Sequence, residues 1–497
     1  MKKYNLAKNT ISATISQLVT MICGLILPRL ILYYYGSSAN GLVNSISQFL
    51  SVIAFLELGV GAVTQTALYK PLVNGDIKKQ SQIYVSAKRF FSKLAKILVI
   101  YVGVLIFIFP VMGTAKFNFV YTSTLIIAMG VSSFLQYYFG IVNSLFLSAD
   151  QKSYIQYNLQ IITLIINTIF SVILMIQGAS LQVVKLSTAI IYCVRPLYLS
   201  LYVKSKYPLN TKIELHGEPI KQKWNGIAQH VAAIVLDGTD IIVLTVFDSL
   251  KDVSIYSVYY LVISAIKQMF NTVTSGIQSI LGDLYFRGDR EKMVNFFFMI
   301  EWGIHNATIF VMGCVSQLIV PFVMVYTNGV RDANYNQPLF GYIITIAYAI
   351  YCFRLPYHMM IRASGRYKET QNNYIYSAIV NVIISIMLVN YFGLIGVAIG
   401  TCIAMTYQFL WLASYVFRDI ISTSKKYFVK LILVDIINVT LGVFLSNIIN
   451  DVAVNSWKSW IVSGVVTSLI WGILMLVVNI IFYKKYIVGI YKRISYR

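Results

Sequence analysis

The sequence predicts an all-α polytopic membrane protein. It has about fourteen transmembrane helices: two six-helix lobes related by an internal repeat, plus two C-terminal helices. Three observations predict this. The 497-residue chain is 58% hydrophobic and only 12% charged, against about 25% charged residues in soluble domains. Apolar stretches of the length needed to cross a hydrocarbon core of about 30 Å recur from Thr10 to Tyr483. Residues also recur weakly at an offset of 213 to 214 positions.

Hydropathy places the spans at 10–34, 39–65, 94–113, 118–146, 154–178, 180–203, 225–247, 252–280, 293–325, 339–362, 370–392, 394–417, 428–449 and 457–483. Short turns rich in Gly, Asn and Asp join them, such as GSSANG and TNGVRDANYNQP. The alternating segments a membrane barrel needs do not recur. The basic start MKKYNLAKN is followed by an apolar stretch too long for a signal peptide and without a small-x-small cleavage site, so the first span is read as retained.

The 40 Lys and Arg residues are distributed unevenly. Alternate sides of the predicted spans carry 31 and 5 of them. The rich side holds Lys2, Lys3 and Lys8, the 66–96 region, the 204–223 loop and the tail. The positive-inside rule puts that side, with both termini, in the cytoplasm. The net charge of +22 is thus a topological signal and a contact for anionic lipid. No nucleic-acid partner is expected. No outer loop exceeds about a dozen residues, and the inner loops 66–93 and 204–224 are short. There is no room for an extramembrane catalytic domain, and an enzyme is not expected.

Five scattered cysteines form no CxxC and four histidines form no metal-binding spacing. No metal site and no cofactor are expected beyond a coupling Na+ or H+.

The repeat aligns Gln65, Leu68, Gly75, Asp76 and Lys79 with Gln278, Leu281, Gly288, Asp289 and Lys292. One residue further out of register, Ala149, Lys152, Asn158 and Asn167 align with Ala363, Arg366, Asn372 and Asn381. The expected organisation is 1–203, N-terminal lobe; 204–224, cytoplasmic linker; 225–417, C-terminal lobe; 418–483, helices 13 and 14; and 484–497, a basic tail. In span 8, Ser257, Tyr260, Ser264, Lys267, Asn271, Thr274 and Gln278 follow the 3, 4 spacing of one helix face. In lipid such a face turns toward protein or water.

Ten ionisable residues fall inside spans: Arg29, Glu57, Arg195, Asp237, Asp240, Lys267, Glu301, His305, Arg354 and Asp435. Each costs roughly 2.5–3.5 kcal/mol at the bilayer centre and calls for pairing, water or substrate. At 1.5 Å per residue, Asp237, Asp240 and Lys267 sit about 18–22 Å above the inner end of their spans, on consecutive helices. Glu57 sits only about 12 Å up. That depth suits a gating or pairing residue, with Arg195 or Arg354 as partner, and static anchoring is the competing reading. Arg29, Lys267, Arg195 and Arg354 are candidates for holding an anionic substrate, because arginine matches phosphate oxygens bidentately. Asp237, Asp240, Glu57, Glu301 and His305 are candidates for coupling or gating.

Three stretches carry a resemblance: ILPRLILYYYGSSANGL, FLELGVGAVTQTALYKPL and LDGTDIIVLTVF. With the six-plus-six-plus-two layout, they resemble the polysaccharide-repeat-unit flippases of the multidrug/oligosaccharidyl-lipid/polysaccharide flippase superfamily. The resemblance implies a polyprenyl-diphosphate-linked oligosaccharide moved from the inner to the outer leaflet of the cytoplasmic membrane, for surface polysaccharide such as capsule. It implies two lobes that alternate in access, a cationic cavity for the diphosphate, and helices 13 and 14 as a groove for the lipid tail. Arg29 falls on the first-helix arginine of the superfamily pattern, and Asp240 on the acidic residue of the span 7 motif. Membrane lipids and other polysaccharide-assembly membrane proteins are the implied partners. The alternative is an ion-coupled multidrug or metabolite antiporter of the same fold, for which an acidic cavity is expected. A membrane enzyme of glycan assembly fits worse, since no large outer loop carries a His–Asp pair.

Overall fold

The computed structural model describes residues 3–57, 59–111, 117–215, 227–423, 426–449 and 452–484; the side chains of residues 3–4, 55–56, 111, 227–230 and 237 lie outside that description. The helices are α1 (Lys3–Ser51), α2 (Val60–Val73), α3 (Ile77–Ile108), α4 (Phe119–Leu135), α5 (Ile141–Ala149), α6 (Ser153–Ile176), α7 (Leu181–Lys206), α8 (Ile227–Phe247), α9 (Leu250–Phe286), α10 (Arg290–Tyr326), α11 (Pro338–Ala363), α12 (Tyr367–Tyr415), α13 (Lys426–Ile449) and α14 (Trp457–Phe482). A 3-10 turn, Val52–Glu57, precedes α2, and a π-helical turn, Gln136–Gly140, joins α4 to α5. No strand occurs among the described residues. Helix is the solution hydrocarbon demands, since it satisfies every backbone group within one segment.

Eleven continuous helical stretches among the described residues are long and apolar enough to cross a membrane. Two of them hold more than one span. Helices α1 and α12 each run for 49 residues, about 74 Å at 1.5 Å per residue, more than twice the hydrocarbon thickness. Both are broken at a glycine outside helical geometry: Gly36 (φ 83°, ψ 175°) and Gly393 (φ 51°, ψ −127°). A residue with a Cβ adopts such angles only at a cost. At Gly393 the chain reverses, and Ser385 Oγ comes within 3.5 Å of the Val397 carbonyl. With both breaks counted, the helices follow the fourteen predicted spans in order.

The expected inner loop 66–93 is instead almost entirely helical. Helix α2 runs to Val73, and α3 starts at Ile77, well before its apolar span. The reason is local: Gly75 (φ 67°) makes the turn, Asp76 accepts from Lys79 N, and Lys, Gln and Ala are good helix formers. Of the expected linker, residues 204–206 end α7 and residues 216–224 lie outside the described residues. So do residues 485–497 of the expected tail.

The repeat is visible as duplicated local structure. Gly75 and Gly288 are both left-handed (φ 67° and 74°). The next residues, Asp76 and Asp289, cap α3 and α10 by accepting from Lys79 N and Lys292 N. Helices α5 and α11 end at Ala149 and Ala363, and α6 and α12 start at Ser153 and Tyr367. The turns between them are left-handed at Gln151 and Gly365. In α6, Ser171 donates to Asn167 Oδ1 at 3.4 Å; in α12, Ser385 donates to Asn381 Oδ1 at 3.0 Å. These pairs keep the 213–214 offset read from the sequence.

The chain divides into two compact units, Met1–Ile234 with Leu244–Ser254, and Val235–Val243 with Ile255–Arg497. The 244–254 segment joins the first unit through direct bonds: Asn40 Nδ2 donates to Ser254 Oγ (2.8 Å), and Ser45 Oγ lies 2.7 Å from Thr245 Oγ1. At the end of α7, Tyr207 joins the α5–α6 turn through Lys152 Nζ (2.8 Å), which also pairs with Asp150 (2.7 Å).

In the second unit α13 and α14 pack on α10. Trp471 is fully buried and lies flat against Gly313 of α10 and Gly442 of α13, where a Cβ would come within 2.5 Å of its ring. Trp302 Nε1 of α10 donates to Asn479 Oδ1 of α14 (2.8 Å). The core here is Leu431, Val434, Leu474, Val478 and Tyr483. Because lipid is as apolar as these side chains, the contact is held by close packing and hydrogen bonds. Trp471→Ala is expected to destabilise the protein by about 3–5 kcal/mol, measured by reversible denaturation in detergent micelles, while Trp460→Ala at the helix end costs much less.

Candidate functional site

The candidate residues are distributed over both units. In the first, Arg29 of α1 is half-buried with its guanidinium 5.8 Å from the Tyr33 ring. Arg195, on α7 just before Pro196, buries its Nε without an acceptor among the described residues. Glu57 closes the 3-10 turn before α2. Gly61, one turn on, makes room for it: a Cβ there would lie 3.0 Å from Glu57 Oε1. No ion pair joins Glu57 to Arg195 among the described residues.

In the second unit, α9 and α11 bring two cations to one aromatic ring. Lys267 Nζ lies 4.9 Å from the Tyr351 ring and 5.7 Å from that of Tyr348. The Arg354 guanidinium lies 4.5 Å from Tyr351. Tyr351 is fixed between them because its hydroxyl donates to Asn271 Oδ1 (2.9 Å). Asn271 belongs to the polar face predicted on this helix. Arg354 is 6% exposed. A ring face attracts cations electrostatically, and the buried Arg354 Nε–H keeps no acceptor among the described residues. This group can therefore take an anion with several acceptor oxygens. Sequence reasoning found Lys267 and Arg354 but not the tyrosines. The signal was present as a 348, 351, 354, 357 run at one helical turn per step in α11.

Asp240 is 3% exposed. Its carboxylate accepts from the Tyr256 hydroxyl (2.7 Å) and from Thr401 Oγ1 (2.7 and 2.9 Å). This ties α8 to α9 and to the second half of α12. The side chain of Asp237, one turn earlier, lies outside the described residues.

A third group joins α10, α11 and α13. Glu301 and His305 are both 0% exposed and lie one turn apart on α10. Glu301 Oε1 accepts from the Tyr357 hydroxyl of α11. His305 Nδ1 meets Asp435 Oδ2 of α13 at 2.6 Å. The sequence showed that Asp435 was intramembrane but gave no partner for it, because the pair is 130 residues apart.

On α13, Lys426, Val429, Lys430, Leu433, Val434 and Ile437, with Phe482 of α14, line a groove of about 600 Å³. Its wall is aliphatic and aromatic, and both lysines sit at the first turns of the helix. Among the described residues no group of His, Cys, Asp and Glu has the geometry of a metal site.

Outside the spans, Asp248 lies in the turn between α8 and α9. Partial burial, and then the neighbouring Asp252 carboxylate, push its carboxyl from the usual 3.8 up to about 6.

No protein-family model and no curated protein matches the chain. Solved structures do. A lipid II flippase, MurJ, in an inward closed conformation aligns with a TM-score of 0.71 at 15% identity, over 96% of this chain and 99% of that one. An inward-facing multidrug resistance MATE family transporter of the MOP superfamily aligns with a TM-score of 0.58 at 16% identity, over 83% and 98%. The eukaryotic MATE transporter AtDTX14 aligns with a TM-score of 0.57 at 12% identity, over 83% and 95%. The chain shares its fold with these transporters and with this flippase.

Two outcomes follow. Asp240→Ala leaves two buried hydroxyls without their acceptor and is expected to destabilise the protein by about 2–4 kcal/mol, whereas Asp240→Asn keeps one acceptor and costs less; denaturation in micelles measures both. At Asp248, the unfolded carboxyl ionises first as pH rises, so its contribution is fully present below about 3.8 and is lost as pH rises to about 6. Amide exchange of residues 246–252 should accelerate over that window beyond the intrinsic rate, and Asp248→Asn should remove the excess.

Proposed function

We propose that the chain is a flippase that moves a polyprenyl-diphosphate-linked oligosaccharide from the inner to the outer leaflet by alternating access, for cell-surface polysaccharide biosynthesis. The observation that carries this reading is the Lys267–Tyr351–Arg354 group. A diphosphate cannot enter hydrocarbon with its charge unsolvated. Arginine and lysine donors inside the helices replace its water, and Arg354 has a buried N–H to offer. The reading gives Arg29 and Arg195 of the first unit the same role toward phosphate or glycan. It gives the α13 groove to the lipid tail: an apolar wall for the isoprenoid and two lysines at the end facing the headgroups. Glu57, Asp237 and Asp240 are assigned gating or coupling. Similarity to the lipid II flippase over 96% of the chain supports the reading, since the multidrug transporter structures cover 83%.

The second reading is an ion-coupled multidrug or metabolite antiporter of the same fold. The buried carboxylates Asp240, Glu301 and Asp435 favour it, because acidic sites serve cationic substrates and coupling ions.

Depletion of the protein in its host discriminates the two. A flippase deficit accumulates lipid-linked glycan on the cytoplasmic leaflet; unchanged glycan assembly with altered drug tolerance overturns the proposal. In vesicles, Lys267→Ala and Arg354→Ala are each expected to slow translocation about 10- to 100-fold, the loss of one charged hydrogen bond of about 1.5–3 kcal/mol.

A further inference from the structure

Helices α10, α11 and α13 bring four buried ionisable side chains together. Glu301, His305 and Tyr357 are 0% exposed and the Asp435 side chain 9%. Glu301 lies about 16 Å along α10 from Arg290, and His305 about 22 Å. No lysine or arginine bonds to any of the four among the described residues. From α11 the facing groups are Tyr357 and the Phe353 ring, 4.6 Å from the imidazole; from α12 the facing group is the Phe409 ring at 6.4 Å. From α13 it is Asp435, with Tyr427 near Tyr357.

Two atoms of this group are not used. Glu301 Oε2 and His305 Nε2 are buried and make no hydrogen bond among the described residues. They belong to side chains four residues apart on one helix face, where Cβ atoms are about 5–6 Å apart. The charges also do not balance. With His305 protonated and both carboxylates ionised, the group carries one net negative charge. With one more proton, on Glu301 Oε2, it is neutral: a His305–Asp435 ion pair beside a carboxylic acid. A low-dielectric interior penalises uncompensated charge, so the enclosed group favours the state holding that extra proton.

We propose that Glu301, His305, Tyr357 and Asp435 form a binding site for one exchangeable proton, and that its occupancy sets how α13 seats on α10. On binding, a proton from water goes to Glu301 Oε2, or to His305 Nε2 when the imidazole is neutral; on release it returns to water, and Tyr357 keeps its hydroxyl proton in both states. Asp435 is the only one of the four side chains with any exposure, so we place the exchange path along α13. The same helix lines the groove with Lys430, Leu433 and Val434. Losing the proton leaves a net charge in the α10–α13 contact, which favours loosening of α13 and admission of water. The proton site stands on this geometry alone; its use to drive flipping rests on the function proposed above.

The test uses the full chain in nanodiscs, labelled with ring-15N histidine. Four histidines are present, and His305→Asn assigns the signal. The expected result is a His305 resonance that changes with pH, with that change displaced in Glu301→Gln. Asp435→Asn is expected to abolish the imidazolium form. In vesicles, the response of transport to an imposed pH difference shrinks at least ~10-fold in Glu301→Gln and Asp435→Asn, with folding of each variant verified by its melting temperature. A His305 signal that is invariant with pH in both wild type and Glu301→Gln overturns the proton site, even where lipid-linked glycan is flipped. A pH-responsive signal without flipping of that lipid leaves the site standing and removes the flippase reading. Flipping with an unaltered pH response in both variants overturns the coupling.

Discussion

Hydrocarbon offers no hydrogen bonds, and the rest of this structure follows from that constraint. Each backbone group must be satisfied within its own segment, which leaves only helices for a chain of this composition. Several buried carboxylates carried into the span find partners on other helices. Asp240 finds two, Tyr256 and Thr401, and so joins three helices at one point. His305 finds Asp435, and Glu301 finds Tyr357. Because apolar burial does little to hold helices together in lipid, these bonds and close contacts such as Trp471 on Gly313 and Gly442 do much of that work.

The buried acids and cations of the second unit are held in different ways. Asp240 and Glu301 accept from hydroxyls, and Asp435 meets the His305 imidazole. Lys267 and Arg354 rest on tyrosine faces. A ring stabilises a cation without using its donors, and the buried Arg354 Nε–H keeps no acceptor among the described residues.

The duplication of the chain shows which features each copy needs and which are particular. The left-handed glycine, the aspartate cap and the asparagine–serine bond recur at one offset, in turns and helix interiors where geometry is local. The intramembrane charges Glu57 and Lys267 do not recur. Glu57 aligns with Phe270, and Lys267 with Ala54. The repeat supplies the scaffold, and the departures from it supply the chemistry.

The sequence by itself determined the class of the protein, its spans, its charge asymmetry and its repeat. Each of these depends on residues near one another in the chain or on sums along it. It also singled out the intramembrane ionisable residues, since any charge in an apolar run is conspicuous. It misjudged the 66–93 segment because a helix that leaves the membrane loses its apolar signal while keeping its backbone bonds. Only the tertiary structure decided which charges meet. Asp435 and His305 are 130 residues apart, and Arg354 and Lys267 share a tyrosine that no periodicity of either helix identifies. Such pairings depend on the rotation and height of one helix against another, which packing sets and no local pattern records.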